Sequence, residues 1–146
     1  MERSYVSSVI EAPIEQVWKY LRDFEGVAKY YDAVKSATIA DGKTADTIGC
    51  ERVALLEDGS TVRERLVGLS DSEYCASYSL LTQGLALTDY IATVRLRPIT
   101  DGNWTFIEWS STYEVADADA DAVHKFVEEH VYLAAMRGLQ RLCKHT

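Results

Sequence analysis

The strand-like run TVRERL, residues 61–66, carries a carboxylate at a position where one is costly. Alternation puts Val62, Glu64 and Leu66 on one face and sends Arg63 and Arg65 to the other. Glu64 is thereby carried inward among apolar neighbours, where it must be paired, hydrogen-bonded or neutral. Its partner depends on the preceding Asp58-Gly59 turn. A bulged turn brings Arg52, Ala54 and Leu56 to the inner face, whereas a two-residue turn brings Glu51, Val53 and Leu55. The bulged turn is preferred, because it joins Arg52 to Glu64 instead of setting Glu51 beside it. Such a carboxyl serves either as half of a structural ion pair or as a general acid or base facing a ligand. Residue order alone leaves both readings open.

A second candidate proton carrier is His130. It falls in a helical stripe with Val123, Phe126, Val127, Val131, Ala134, Gly138, Leu139 and Leu142. There it is either a hydrogen-bonded core residue or, at the depth of a cavity, the natural titrating group for enolisation or dehydration. No metal is expected, since the spacing supplies no further ligands and Cys50, Cys75 and Cys143 form no ligand pair. Nine tyrosines against three phenylalanines favour a pocket with polar handles, with Tyr30, Tyr31, Tyr78 and Tyr90 as the wall hydroxyls. The same residues would also suit an interface, so a homodimer stays open. There is no G-x-S-x-G elbow, phosphate-binding loop or dinucleotide fingerprint, and no cofactor is expected.

The elements that must hold these residues follow from local pattern. Residues 3–10 read as a strand that Ala12-Pro13 stops, because proline lacks an amide hydrogen and suits a first helical turn. Ile14, Val17, Trp18 and Leu21 then follow helical spacing, and Asp23 caps a second short helix presenting Val27 and Tyr30 or Tyr31. From 34 to 115 the period is two. VKSATIA, TIGCERVALL, TVRERLVGLS, EYCASYSLL, ALTDYIATVRLRP and WTFIEWSSTYEV give six more strands, antiparallel because short turns join them. In the last, Ile107, Trp109, Tyr113 and Val115 take the inner face; in the one before, Tyr90, Ala92, Val94 and Leu96 do. Asp117, Asp119 and Asp121 begin a helix of about six turns that ends near Arg141, Lys144 and His145, each charge matching the helix dipole. Its small residues Ala134, Ala135 and Gly138 allow close approach to the sheet at one end and leave space at the other. The economical packing is a sheet curled around that helix.

Composition narrows the partners. A chain of 146 residues with 47% hydrophobic content suits one domain over 1–146. A net charge of −8 with scattered cations disfavours nucleic acid and stable membrane association. An odd number of unpatterned cysteines and an N-terminal stretch without secretory-leader features lead to the expectation of a cytoplasmic protein.

The segments IEAPIEQVWKYLRDFEG (10–26), DGSTVRERLVGL (58–69), YSLL (78–81), DYIATVRLRP (89–98) and FIEWSSTYE (106–114) together resemble the START-like helix-grip (SRPBCC) superfamily. Within it, the chain is similar to the polyketide cyclase/dehydrase-like proteins, relatives of the Bet v 1-like group. The loop DGKTADTIG lacks the glycine-rich motif of the pollen-allergen branch. The resemblance implies an α+β helix-grip fold: about seven curved antiparallel strands around a long C-terminal helix, with two short helices after the first strand. It also implies a deep apolar pocket for a hydrophobic, aromatic or polyketide-like small molecule, with LLTQGLAL (80–87) as a lip. Glu64 and His130 are then the candidate catalytic groups. Arg52, Tyr30, Tyr31, Tyr78, Tyr90, Trp109, Tyr113 and Phe126 are the candidate ligand contacts. Cofactor-free cyclisation, dehydration or isomerisation would rest on holding a flexible substrate in a reactive fold. The alternative is a carrier or sensor of a lipid-like ligand.

Overall fold

A computed structural model describes residues 1–116 and 119–144. The expected charges Asp117 and His145 lie outside the described residues.

Seven antiparallel strands form one sheet: β1 (Glu2–Ile10), β2 (Val34–Ile39), β3 (Glu51–Leu56), β4 (Thr61–Ser70), β5 (Cys75–Leu80), β6 (Leu87–Ile99) and β7 (Trp104–Val115). Their order is β1-β7-β6-β5-β4-β3-β2. Short connections make each strand from β3 to β7 the neighbour of the one before, while β1 and β2 form the two edges. The chain crosses between those edges through α1 (Ile14–Leu21) and a 3₁₀-helix (Phe24–Lys29). Pro13 stands at the turn with φ −61°, and the buried Thr105 hydroxyl donates to the Ala12 carbonyl (2.7 Å), fixing the exit from β1. Asp23 caps the 3₁₀-helix by accepting from the Glu25 amide (3.2 Å). At three residues per turn, Phe24, Val27 and Tyr30 fall on one side, and all three are buried.

The β3–β4 hairpin has the bulged geometry. Leu56 and Ser60 close a three-residue loop in which Gly59 adopts φ +90°, a conformation that costs glycine little. That odd loop sets Arg52 opposite Glu64, with both facing in. Glu51 goes outward and pairs instead with Arg63 (2.6 Å) and Arg65 (3.1 Å).

The C-terminal helix differs from its sequence reading. It runs as α2 (Ala120–Lys125), a π-helical stretch (Phe126–Leu133) and α3 (Ala134–Lys144). Asp119 caps it through the Asp121 amide (3.0 Å). In the π stretch hydrogen bonds skip to i+5, so each turn holds more residues and the buried face rotates relative to a 3.6 period. The buried positions are Val123, Val127, Tyr132, Ala135, Met136, Gly138, Leu139 and Cys143. Phe126 and His130 turn outward, and Ala134 and Leu142 are only half-buried. The tight approach at Gly138 is also not to the sheet: a Cβ there would sit 1.6 Å from the Tyr30 carbonyl oxygen, at the end of the 3₁₀-helix.

Candidate functional site

Between the concave sheet face and the helix lies an apolar cavity with two chambers. The inner chamber, about 460 Å3, is bounded by the 3₁₀-helix, β3, β4, β5 and the helix, and includes Phe24, Tyr30, Tyr31, Tyr78 and Trp109 in its walls. The outer chamber, about 410 Å3, lies between α2 and the β5–β6 loop, and is walled mainly by Leu80, Leu85, Leu87, Val123 and Val127. Glu64, Phe126 and Val131 border both.

The polar centre is the Arg52–Glu64 pair. Arg52 is 5% exposed, and its Nη2 and Nε both donate to Glu64 Oε1, at 2.6 and 3.1 Å. Nη1 donates to the Phe24 carbonyl at 3.1 Å. The guanidinium lies 4.0 Å from the Phe24 ring centre and 5.4 Å from that of Tyr78, so two aromatic faces supply cation–π attraction where water is excluded. Burial works against the cation, yet the Glu64 carboxylate, with smaller help from Tyr30 and Tyr78, leaves the Arg52 pKa raised. Among the described residues no hydrogen bond reaches Glu64 Oε2.

The tyrosine hydroxyls are distributed unevenly. Tyr78 accepts from Trp109 Nε1 at 3.1 Å in the inner chamber. Tyr90 borders the outer chamber and shares a short hydrogen bond with Tyr132. Tyr132 in turn stacks on Trp109, with centroids 5.3 Å apart. Burial drives the pKa of Tyr78 and Tyr90 well above the usual phenol value and pushes Tyr30 up to about 12, Arg52 partly opposing the rise in Tyr30 and Glu64 adding to it. Burial also raises Tyr132. The Ser111 hydroxyl is close enough to temper that rise but makes no well-formed hydrogen bond. These phenols remain neutral donors and acceptors through the physiological range.

Of the expected site residues, His130 and Tyr113 lie outside the cavity walls and Phe126 stands at the rim. His130 is exposed; its ring packs 5.8 Å from Phe126 and makes no hydrogen bond to the described residues, while its backbone carbonyl accepts from the Tyr31 hydroxyl at 3.0 Å. The π stretch has rotated it out of the cavity. Phe126 is 56% exposed and forms a rim between the chambers instead of a buried wall. Tyr113 is fully buried but borders neither chamber: its hydroxyl meets Ser4 Oγ at 2.7 Å, Ser4 reaches His124 Nδ1 at 3.3 Å, and His124 Nε2 meets Glu2 at 2.9 Å. That network pins α2 to β1.

Phe24 and Tyr132 escaped the sequence reading. Phe24 was visible in principle from its i, i+3 relation to Val27 and Tyr30, the period of a 3₁₀-helix. Tyr132 had no such signal, because its burial depends on the π stretch.

A seven-stranded antiparallel sheet curved around a C-terminal helix, enclosing an apolar cavity, defines a helix-grip protein. Residues 1–145 match the family model described as polyketide cyclase/dehydrase and lipid transport, and the chain belongs to that family. XoxI from Bacillus cereus has a similar structure, with TM-score 0.87, 24% identity, and coverage of 99% of this chain and 96% of that one. A protein from Nitrosospira multiformis is similar at TM-score 0.81 and 25% identity, covering 97% of this chain and 96% of that one. A third, from Thermobifida fusca, is similar at TM-score 0.85 and 22% identity, covering 99% and 95%. No curated protein matches the chain. No helix among the described residues is long and apolar enough to cross a membrane.

Proposed function

We propose that this protein encloses a hydrophobic small molecule of aromatic or polyketide-like character in the two-chambered cavity. The observation that carries this is a large apolar cavity bordered by the Arg52–Glu64 pair, whose guanidinium is buried and whose second carboxylate oxygen accepts no hydrogen bond among the described residues. In the enzymatic form of this reading, the protein holds a flexible substrate in a reactive fold for cyclisation, dehydration or isomerisation, and Glu64 moves the proton. In the carrier form the same cavity binds and releases its ligand unchanged. The outward position of His130 favours the carrier form, since it leaves the cavity without the second acid–base group of the pair. The three free thiols support a cytoplasmic setting.

The test is native mass spectrometry of the protein from its own host, followed by a thermal-shift screen of aromatic and polyketide-like compounds. A co-purifying compound or a ligand-dependent rise in Tm is expected. A clean apo mass together with no shift across the screen sinks the reading. Glu64→Gln then separates the two forms: an enzyme loses turnover while keeping bound ligand. Because that change strands a buried guanidinium at a cost of about 3 kcal/mol, the double variant Glu64→Gln/Arg52→Met serves as the stability control.

A further inference from the structure

We propose that the ligand is a neutral alkylated aromatic bearing a hydroxyl, its ring in the inner chamber, its chain in the outer one, and its hydroxyl donating to Glu64 Oε2. This deepens the proposed function and rests on it.

The two chambers differ in surface chemistry. Phe24, Tyr78 and Trp109 offer ring faces and edges in the inner one, suited to offset or edge-to-face aromatic contact. The outer chamber sets the aliphatic carbon of Leu80, Leu85, Leu87, Val123 and Val127 beside the rings of Tyr90 and Phe126, a more aliphatic wall that suits a chain. A molecule filling both therefore changes character where it passes Glu64.

The polarity of that junction is set by the ion pair. Arg52 is already neutralised by Glu64 and engaged by the Phe24 carbonyl, so it offers little to an incoming anion. What remains open is an acceptor, Glu64 Oε2, and an acceptor on a carboxylate selects a donor. A ligand carboxylate would meet like charge there; Asp119 borders the outer chamber, Glu57 and Asp58 the inner one, and the inner chamber's other cation, Arg22, is already paired with Asp71 at 2.9 Å. A phenolic or alcoholic hydroxyl satisfies the open oxygen without adding charge to an enclosed site.

Calorimetric titration with 2-ethylphenol, 2-hexylphenol and 2-hexylbenzoate at pH 7.5 tests this, because an ortho hydroxyl lies beside the point where the chain leaves the ring and so at the junction that Glu64 borders. Four more buried methylenes should tighten binding of hexylphenol over ethylphenol on the order of 100-fold. The benzoate should bind at least about 10-fold more weakly than hexylphenol. Ala122→Trp, at an exposed position bordering the outer chamber, should cut the hexyl advantage to less than about 3-fold while leaving ethylphenol binding unchanged. Ala86→Trp, on the facing loop, is a second route to the same effect. Equal affinity for the two phenols, or a hexyl advantage that survives both tryptophans, overturns the two-part ligand while leaving the cavity reading intact. A benzoate that binds as well as the phenol overturns the donor assignment. Failure of all three probes to bind the wild-type chain overturns this inference and counts against the enclosed-ligand reading itself.

Discussion

The two halves of the C-terminal helix face the same core and do opposite things. In α3, Gly138 lies against the Tyr30 backbone with no room for a methyl group, and Ala135, Met136 and Leu139 seal the interior beside it. In α2 and the π stretch, Val123 and Val127 stand back from the sheet across open space, while Phe126 and His130 turn to solvent. One end closes the fold and the other roofs a cavity. The contrast shows how a helix-grip protein keeps a void that hydrophobic collapse would otherwise fill: close packing at one end fixes the helix, and the widened π turns hold the other end in a register that does not follow the sheet.

Breaking the closed end should have the largest effect. Gly138→Ala forces the helix away from the Tyr30 carbonyl, and a loss of about 3 kcal/mol or more in urea unfolding is expected. A loss under about 1 kcal/mol would mean that the contact gives way easily and that the contrast is overstated.

The Tyr30 phenol, in the wall of the inner chamber, reports on the enclosed interior through pH. Burial favours its neutral phenol, so its contribution is complete below about pH 10, where the unfolded phenol begins to ionise, and is lost as pH rises through about 12. Roughly 3 kcal/mol should disappear over that window, and Tyr30→Phe should flatten that part of the stability–pH curve. An unchanged slope in the variant would assign the alkaline loss to other groups.

The roofing half should be softer. Tyr31→Phe removes the one side-chain bond to the His130 carbonyl among the described residues, and a cost of about 1 kcal/mol is expected. Hydrogen exchange should quicken along 126–133 and stay unchanged along α3; uniform quickening would show the two halves to be one cooperative unit. Smallest of all, His130→Ala should change stability by no more than about 0.5 kcal/mol and leave ligand affinity intact. A marked loss of binding would return His130 to the site.

Much of the sheet was legible before any coordinates. The inner faces of β6 and β7 follow from a period of two, and the opposition of Arg52 to Glu64 from preferring, between the two registers the Asp58-Gly59 turn allows, the one that pairs opposite charges; both act over a few residues. Pro13 and Asp23 likewise carried their own signals for the two short helices. The site was less legible because it lies under the C-terminal helix. Reading a stripe at 3.6 residues per turn placed His130 and Phe126 inward and passed over Tyr132. His130 and Tyr132 lie within the π stretch, whereas Phe126 opens it with its amide still bonded to Ala122, four residues back, beside the buried Val123 and Val127.

The residues by themselves therefore determined the strands and their inner faces, and narrowed the partner of Glu64 to two registers, since each depends on alternation, turn geometry or local caps. Only the tertiary structure decided where the helix clamps, where it stands away, and which side chains the cavity holds. Those outcomes depend on Gly138 meeting the Tyr30 backbone, a partner 108 residues away in the chain, and on i+5 hydrogen bonding. Neither has a period or a composition that a short window of sequence can display.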